Sequence, residues 1–514
     1  MAVDSGSFPL PKRIRAISLG LSARNSLLAG SLFFLVAFAY LGLVQFSTPD
    51  LPDNDGFYHI KMAWLMRTEG LKPDFPWLPL SILNSRQFYD HHFLFHVALI
   101  PFTFGDLIQG AKWAAVFFAS LALLSLFWLF KSQRLPHAWL WALASLAISP
   151  AFLYRMSLPR AQSLSLVVLI LGLGMILKGR FKFLLPLAFV YVWLYDAFPL
   201  LFILAGLYSL GVGLVERRLE LRPLLYAGLG TALGMLINPY FPHNLVFATL
   251  HILPKLGEAT VARVGNEWFP YETTQLIRQA GPALLAFLSG AFALGLSGRR
   301  MESRTAVSFL AATLFGLMLF QARRFVEYFP AFALIFAAFA WTAFIAPAPV
   351  EASGGQFLRR IRPHLLPALC LALLLPLAWY AFSQAGESIQ RAKPSTLYAS
   401  ASVWLQANTP AGERIFQTDW DDFPRLFYYN NHNTYLVGLD PTYMQLYDAE
   451  MYDLWAAITR GEVEQPSRYL LPVFGARYIL SDLNHKTFLR QADQDPGLDE
   501  VYRDADAVIY RLGD

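Results

Sequence analysis

Apolar residues fill most of this chain in long blocks, separated by short polar knots. A bilayer core of ~30 Å asks for roughly 20 apolar residues in a helix. The blocks predict spans near 26–46, 107–130, 136–153, 163–177, 183–195, 198–214, 223–240, 281–297, 305–321, 328–346 and 364–383, eleven in all. The short pair around Asp196 also reads as one broken element. Beyond 383 the pattern changes to that of a soluble fold. ASASVWLQANTPAGERIFQT predicts a helix, a turn at Pro410-Ala411-Gly412, then a strand. NTYLVGLD, ARYILSD and AVIYRL alternate as strands do, and PTYMQLYDAEMYDLWAAITRG has helical spacing with a stop at Gly461. The expectation is a polytopic α-helical protein over 1–383, with long loops 47–106 and 241–280, and a small α/β domain over 384–514. APAPVEASGGQ at 346–356 reads as the one flexible linker.

Composition agrees with this reading. Of 514 residues, 56% are hydrophobic and 15% charged, against about 25% charged in soluble domains. The net charge of +5 comes from knots between apolar segments, which suits topology signals and argues against a nucleic-acid partner. Cys370 is the single cysteine, so no internal disulfide can form. The segment after Lys12, Arg13, Arg15 and Arg24 is long enough to span and shows no small-residue cleavage site.

Charge bias orients the spans. With the N-terminus in the cytoplasm, the inner segments hold 18 basic and 5 acidic residues, the outer loops 11 and 12. Short basic loops stay inside. The tail, with 11 basic and 19 acidic residues, then lies outside with both long loops.

The chemistry-bearing residues gather on that outer face. Asp53 and Asp55 follow the first span, with Tyr58, His59 and Lys61 expected on a surface helix. Carboxylates one residue apart suit a divalent cation or a base tuned by its neighbour, and equally suit helix capping. Asp90, His91, His92 and His96 form a second polar group, read as a metal site or as Asp90 holding a histidine in place. Arg155 and Arg160 fit phosphate binding or headgroup anchoring. Glu267, beside Trp268, sits in a loop able to close over a substrate or lie in the interface. Arg323, Arg324, Glu327 and Tyr328 occupy a re-entry corner, where ionisable groups are functional or paired. Trp420, Asp421 and Asp422 in the tail suit sugar or peptide binding, or form an acidic surface loop.

Together these motifs resemble the GT-C superfamily of membrane glycosyltransferases over nearly the whole chain. The nearest likeness is to oligosaccharyltransferase catalytic subunits. Asp55-Gly56-Phe57-Tyr58-His59 looks like their first-loop motif, Arg324, Phe325 and Tyr328 like their Arg-Phe-x-x-Tyr corner, and Trp420-Asp421-Asp422 loosely like their Trp-Trp-Asp motif. Their second acidic metal motif is missing, since Arg155 to Gln162 stands in its place. This leaves open a single-aspartate arrangement, as in the protein mannosyltransferases and lipid A aminoarabinose transferases. The resemblance implies inverting transfer of a sugar or oligosaccharide from a polyprenyl-(di)phosphate donor to an extracytoplasmic protein, lipid or glycan. It makes the chain an integral protein of a bacterial inner or plasma membrane. Asp55 and Glu267 would be catalytic, and Arg324, Arg323, Arg160 and Tyr328 would bind donor phosphate. Trp420, Asp421 and Asp422 would bind the acceptor. Mn or Mg on Asp53, Asp55, Asp90 and His91 is left open. The competing classes are a flippase of lipid-linked saccharides and an inactive scaffold of the same fold.

Overall fold

A computed structural model of the chain describes residues 12–252, 265–298, 300–345 and 356–513. Most of the expected linker at 346–356 lies outside the described residues. The helices are α1 (Lys12–Gln45), α2 (Asn54–Glu69), α3 (Phe93–Leu99), α4 (Leu107–Ser132), α5 (Ala138–Ala144), α6 (Pro150–Met156), α7 (Gln162–Leu177) and α8 (Leu184–Leu194). There follow α9 (Pro199–Glu216), α10 (Arg222–Leu236), α11 (His243–Phe247), α12 (Thr273–Ser297), α13 (Ser303–Gln321), α14 (Phe329–Ile345) and α15 (Gln356–Gln390). Among the described residues, six helices are long and apolar enough to cross a membrane, namely those at 25–45, 107–132, 199–216, 273–297, 303–321 and 365–390.

The expected span at 136–153 is instead two short helices, α5 and α6. Pro150 has no N–H to continue a helix but suits a first helical position. Ser149 caps the new helix by accepting from the Phe152 N–H at 3.0 Å. The break turns α6 so that it touches α7, α12 and α15 and carries Arg155 in its last turn.

Close packing elsewhere follows small residues. Along α10, Gly230-Thr231-Ala232-Leu233-Gly234 is a GxxxG run laid against α8. A Cβ on Gly230 would lie 2.2 Å from the Leu185 carbonyl oxygen, so the two backbones touch there.

The tail carries α16 (Ala399–Asn408), α17 (Phe423–Tyr429), α18 (Thr442–Tyr447) and α19 (Ala449–Thr459). The stretch expected to be one helix up to Gly461 is divided at Asp448, which caps α19. Its sheet has β1 (Arg414–Gln417), β2 (Thr434–Tyr435), β3 (Tyr478–Asp482), β4 (Leu498–Arg503) and β5 (Ala507–Leu512) in the order β2-β1-β3-β5-β4. β1 runs parallel to β2 and β3, whereas β5 pairs antiparallel with β3 and β4.

Much of the first long loop is buried. α2 buries Phe57, Tyr58, His59, Ile60 and Met62, contrary to the surface helix expected there. Tyr58, Phe75, Trp77 and Phe88 share one core with Ile415, Phe423, Phe427 and Ile509 of the tail. The Tyr435 N–H donates to the Trp77 carbonyl at 2.8 Å, and the Ile82 N–H to the Tyr443 carbonyl at 3.1 Å. The division at 383/384 therefore marks no break in packing: α15 runs on to Gln390, and loop and tail fold as one body above the helices.

Candidate active site

α2 begins at the junction of helices and tail. Asp53 occupies its N-cap position but makes no capping hydrogen bond. Its carboxylate instead takes Arg160 side-on, with Nε at 2.6 Å from Oδ2 and Nη2 against Oδ1. This is the two-pronged geometry that guanidinium and carboxylate favour. The approach depends on Gly56, because a Cβ there would lie 2.5 Å from the Pro159 ring. With no side chain in the way, the 157–160 turn rests on α2 and carries Arg160 to the helix start.

Asp55 stands in the first turn of α2, where the helix dipole favours negative charge. Its Oδ2 lies 3.1 Å from Arg160 Nη1, and its side chain is 30% exposed to the adjoining cavity. Removal from bulk water is the largest influence on this carboxyl and raises it. Arg160 opposes that rise, while Asp53, Asp421 and Glu267 add to it, and the group is pushed up to about 7. An aspartate poised there exchanges its proton near neutral pH.

Glu267 lies among three guanidinium groups. Its oxygens are 2.8 Å from Arg155, 3.7 Å from Arg160 and 3.5 Å from Arg324. Desolvation alone would raise its carboxyl, but Arg155, Arg324 and Arg160 hold it well below the usual carboxylate range. Arg155 also binds buried Glu327, with Nε at 2.7 Å. The acid expected to pair within its own 323–328 corner therefore reaches across to α6. Arg324 donates to the Tyr195 hydroxyl at 3.0 Å and lies 4.2 Å from the Trp268 ring centroid. The guanidiniums thus converge from two chain segments, 155–160 and the 323–328 corner, held by carboxylates.

Asp55, Arg160, Glu267 and Arg324 line one cavity of about 110 Å³. His59, His92, Gln162, Tyr195, Leu439 and Tyr443 are also in its wall. Leu439 and Tyr443 belong to the tail, and Leu439 has φ 64°, a left-handed conformation that costs a branched residue energy. Of these six, His92 stood in the candidate metal group and His59 in the first-loop motif, while Gln162, Tyr195, Leu439 and Tyr443 were not proposed as site residues from the sequence. The spacing of Asp55 and His59, four apart on one helix face, pointed to His59. No local pattern points to Leu439, because only folding of the tail onto α2 brings it there.

Several expected site residues lie elsewhere. Arg323 donates to the Pro270 carbonyl at 3.1 Å and lies over the Tyr271 ring, outside the cavity wall. Tyr328 is buried among the helices, its hydroxyl 2.9 Å from that of Ser165. Each is held by a partner closer than the cavity. Trp420, Asp421 and Asp422 are also outside the wall, but Asp421 accepts from Asn54 Nδ2 at 2.7 Å, one residue from Asp55. Arg425, buried beneath, donates to Asn54 Oδ1 at 2.8 Å. The tail is thereby clamped to the start of α2.

The candidate metal set does not assemble. A hard divalent cation wants six or more oxygens around it. Both Asp53 oxygens are taken by Arg160, which also crowds Asp55. Asp90 accepts from His96 Nδ1 at 2.7 Å and from the His92 N–H at 3.0 Å. His96 in turn meets His59 at 2.8 Å, and the His91 ring stacks on Phe247. Asp90 thus holds a buried histidine in place, and the residues present do not fit Mn or Mg. Among the described residues, no group of three or more His, Cys, Asp or Glu is placed to hold a metal.

No sequence-family model matches the chain, and no curated protein matches it by sequence. Solved structures do match in fold. The archaeal oligosaccharyltransferase AglB from Archaeoglobus fulgidus, in complex with an inhibitory peptide and a dolichol-phosphate, aligns at TM-score 0.61 and 14% identity, covering 90% of this chain and 71% of that one. ArnT from Cupriavidus metallidurans, bound to undecaprenyl phosphate, aligns at TM-score 0.56 and 16% identity over 93% and 97% of the two chains. The arabinofuranosyltransferase AftD from Mycobacteria aligns at 0.56 and 15%, over 94% of this chain and 40% of that one. At such identities the likeness is one of fold alone, shared with AglB, ArnT and AftD.

Proposed function

We propose that the protein is a membrane glycosyltransferase that moves a sugar from a polyprenyl phosphate or diphosphate to an acceptor on the extracytoplasmic face. The observation that carries this reading is the pairing, in one cavity, of an aspartate near neutrality with two arginines. In the reaction, an acceptor hydroxyl or amide attacks the anomeric carbon from the face opposite the phosphate. Asp55 takes the acceptor's proton as the new bond forms. The bond from carbon to phosphate oxygen breaks, its electron pair leaves with the phosphate, and the anomeric centre inverts. Arg160 and Arg324 offset the charge gathering on that phosphate, where preorganised cations contribute most. Glu267 keeps the guanidiniums converged before the donor enters, and Leu439 and Tyr443 present the tail to the acceptor. Supporting the choice of donor, AglB and ArnT are fold neighbours solved with dolichol-phosphate and undecaprenyl phosphate.

The deciding experiment is transfer of radiolabelled sugar from polyprenyl donors by purified wild type and Asp55→Asn in parallel. Activity in the wild type and its loss in the variant support the reading. Full activity in the variant removes Asp55 as base.

A further inference from the structure

Two polar atoms in the cavity wall have no hydrogen-bond partner among the described residues. They are Gln162 Oε1 and His92 Nδ1, and both are out of contact with solvent. Gln162, 3% exposed, is the first residue of α7 and follows the Arg160 turn. His92 precedes α3. Its ring centroid lies 5.4 Å from that of Tyr195 and 4.8 Å from that of His59. A buried polar atom left unpaired is costly, and such atoms are few in folded proteins. Both residues stand in the wall of one small cavity, and a ligand there completes the bonding once the two side chains turn toward it.

The character of the wall narrows the ligand. Arg160 and Arg324 supply the positive charge and are already assigned to phosphate, while Asp55, Asp196 and Glu267 supply the carboxyls. Gln162, His92, Tyr195 and Tyr443 add neutral groups able to meet hydroxyls, together with ring faces. Neutral donors and acceptors beside aromatic faces fit a ring bearing hydroxyls. Size sets a further limit. A cavity of roughly 150 Å³ holds benzene, so about 110 Å³ takes one edge of a sugar ring and leaves the rest at the cavity mouth.

We infer that Gln162 and His92 form the subsite that reads the hydroxyls of a single sugar ring on the donor. This rests on the donor reading above, with the phosphate held by Arg160 and Arg324. One edge of the sugar ring lies beside them, and anything attached beyond it stays outside.

The test compares binding of bare undecaprenyl phosphate with that of undecaprenyl phosphate carrying one glucose, one N-acetylglucosamine or one arabinofuranose. Wild type, Gln162→Leu and His92→Phe are measured by calorimetry in detergent. At least one sugar-bearing lipid should bind wild type more tightly than the bare lipid. Each variant should lose about tenfold in affinity for that lipid while binding the bare lipid unchanged, which also shows that it is folded. Equal weakening toward both lipids would overturn the subsite and leave the donor reading standing. A variant that keeps its preference for the sugar-bearing lipid would overturn it too, as would a wild type with no such preference. Should either variant fail to fold, Gln162→Glu and His92→Asn are read in the same way. A wild type that binds none of these lipids removes the donor reading itself.

Discussion

Asp55 combines two opposed influences. Helix dipole and Arg160 favour its charge, burial and neighbouring carboxyls oppose it, and burial prevails. Transfer should therefore rise with pH along a limb centred near 7, read from kcat/KM, because only the ionised carboxylate accepts a proton. Asp55→Asn should lower the rate by roughly 10²- to 10⁴-fold. Stability should move the other way. A carboxyl raised on folding binds its proton more tightly in the folded state. Its contribution is thus complete below about pH 4 and lost as pH rises through about 7. At pH 8, Asp55→Asn should melt no lower than wild type, and a clear drop in Tm would show that the charge supports the fold. With Asp53 occupied by Arg160, EDTA should leave transfer unchanged. Loss of activity that Mn²⁺ restores would reinstate a metal site.

At the scale of elements, backbone contact decides where the charges meet. Gly56 lets the Pro159 turn rest on α2, so Gly56→Ala should push that turn away and separate Arg160 from Asp55. The expected result is a drop in transfer of at least tenfold with little change in Tm, since the loss is of alignment. Gly230 answers to a different demand. There a Cβ meets the Leu185 carbonyl and the Ala188 methyl, so Gly230→Val should pry α10 from α8 and lower Tm in detergent by several degrees. An unchanged Tm would mean that the pair slides apart without loss.

At the scale of the whole molecule, first loop and tail behave as one lid-like body seated on the helices. Arg425 is its buried tie, donating to Asn54 and to the Pro394 carbonyl at 2.7 Å, with the Phe57 ring 4.4 Å away. Arg425→Leu strands those acceptors, at about 2 kcal/mol. The tail should then be cut from the membrane part at lower protease concentrations, and transfer should fall because Asn54 adjoins Asp55. Orientation is a separate matter, resting on the split of basic residues. A periplasmic-type reporter fused after Asp514 should be active and a cytoplasmic-type one silent; the reverse would place tail and cavity on the inner face.

Sequence by itself determined the membrane character, most helix positions and the small mixed domain, because apolar runs and strand alternation are local properties of the chain. It also pointed to Asp55, Glu267, Arg160 and Arg324 as chemistry-bearing residues, since charge beside apolar spans stands out against its surroundings. Tertiary structure decided which charges belong together. Arg155 and Arg160 turn inward to Glu327 and Asp53, while Arg323 and Tyr328 find partners away from the cavity. Only the fold of tail onto loop brings Leu439 and Tyr443 to the same wall as Gln162 and His92. Those pairings join residues at least 53 positions apart. No window of sequence holds both members, and each is set by shape and charge once the helices have packed.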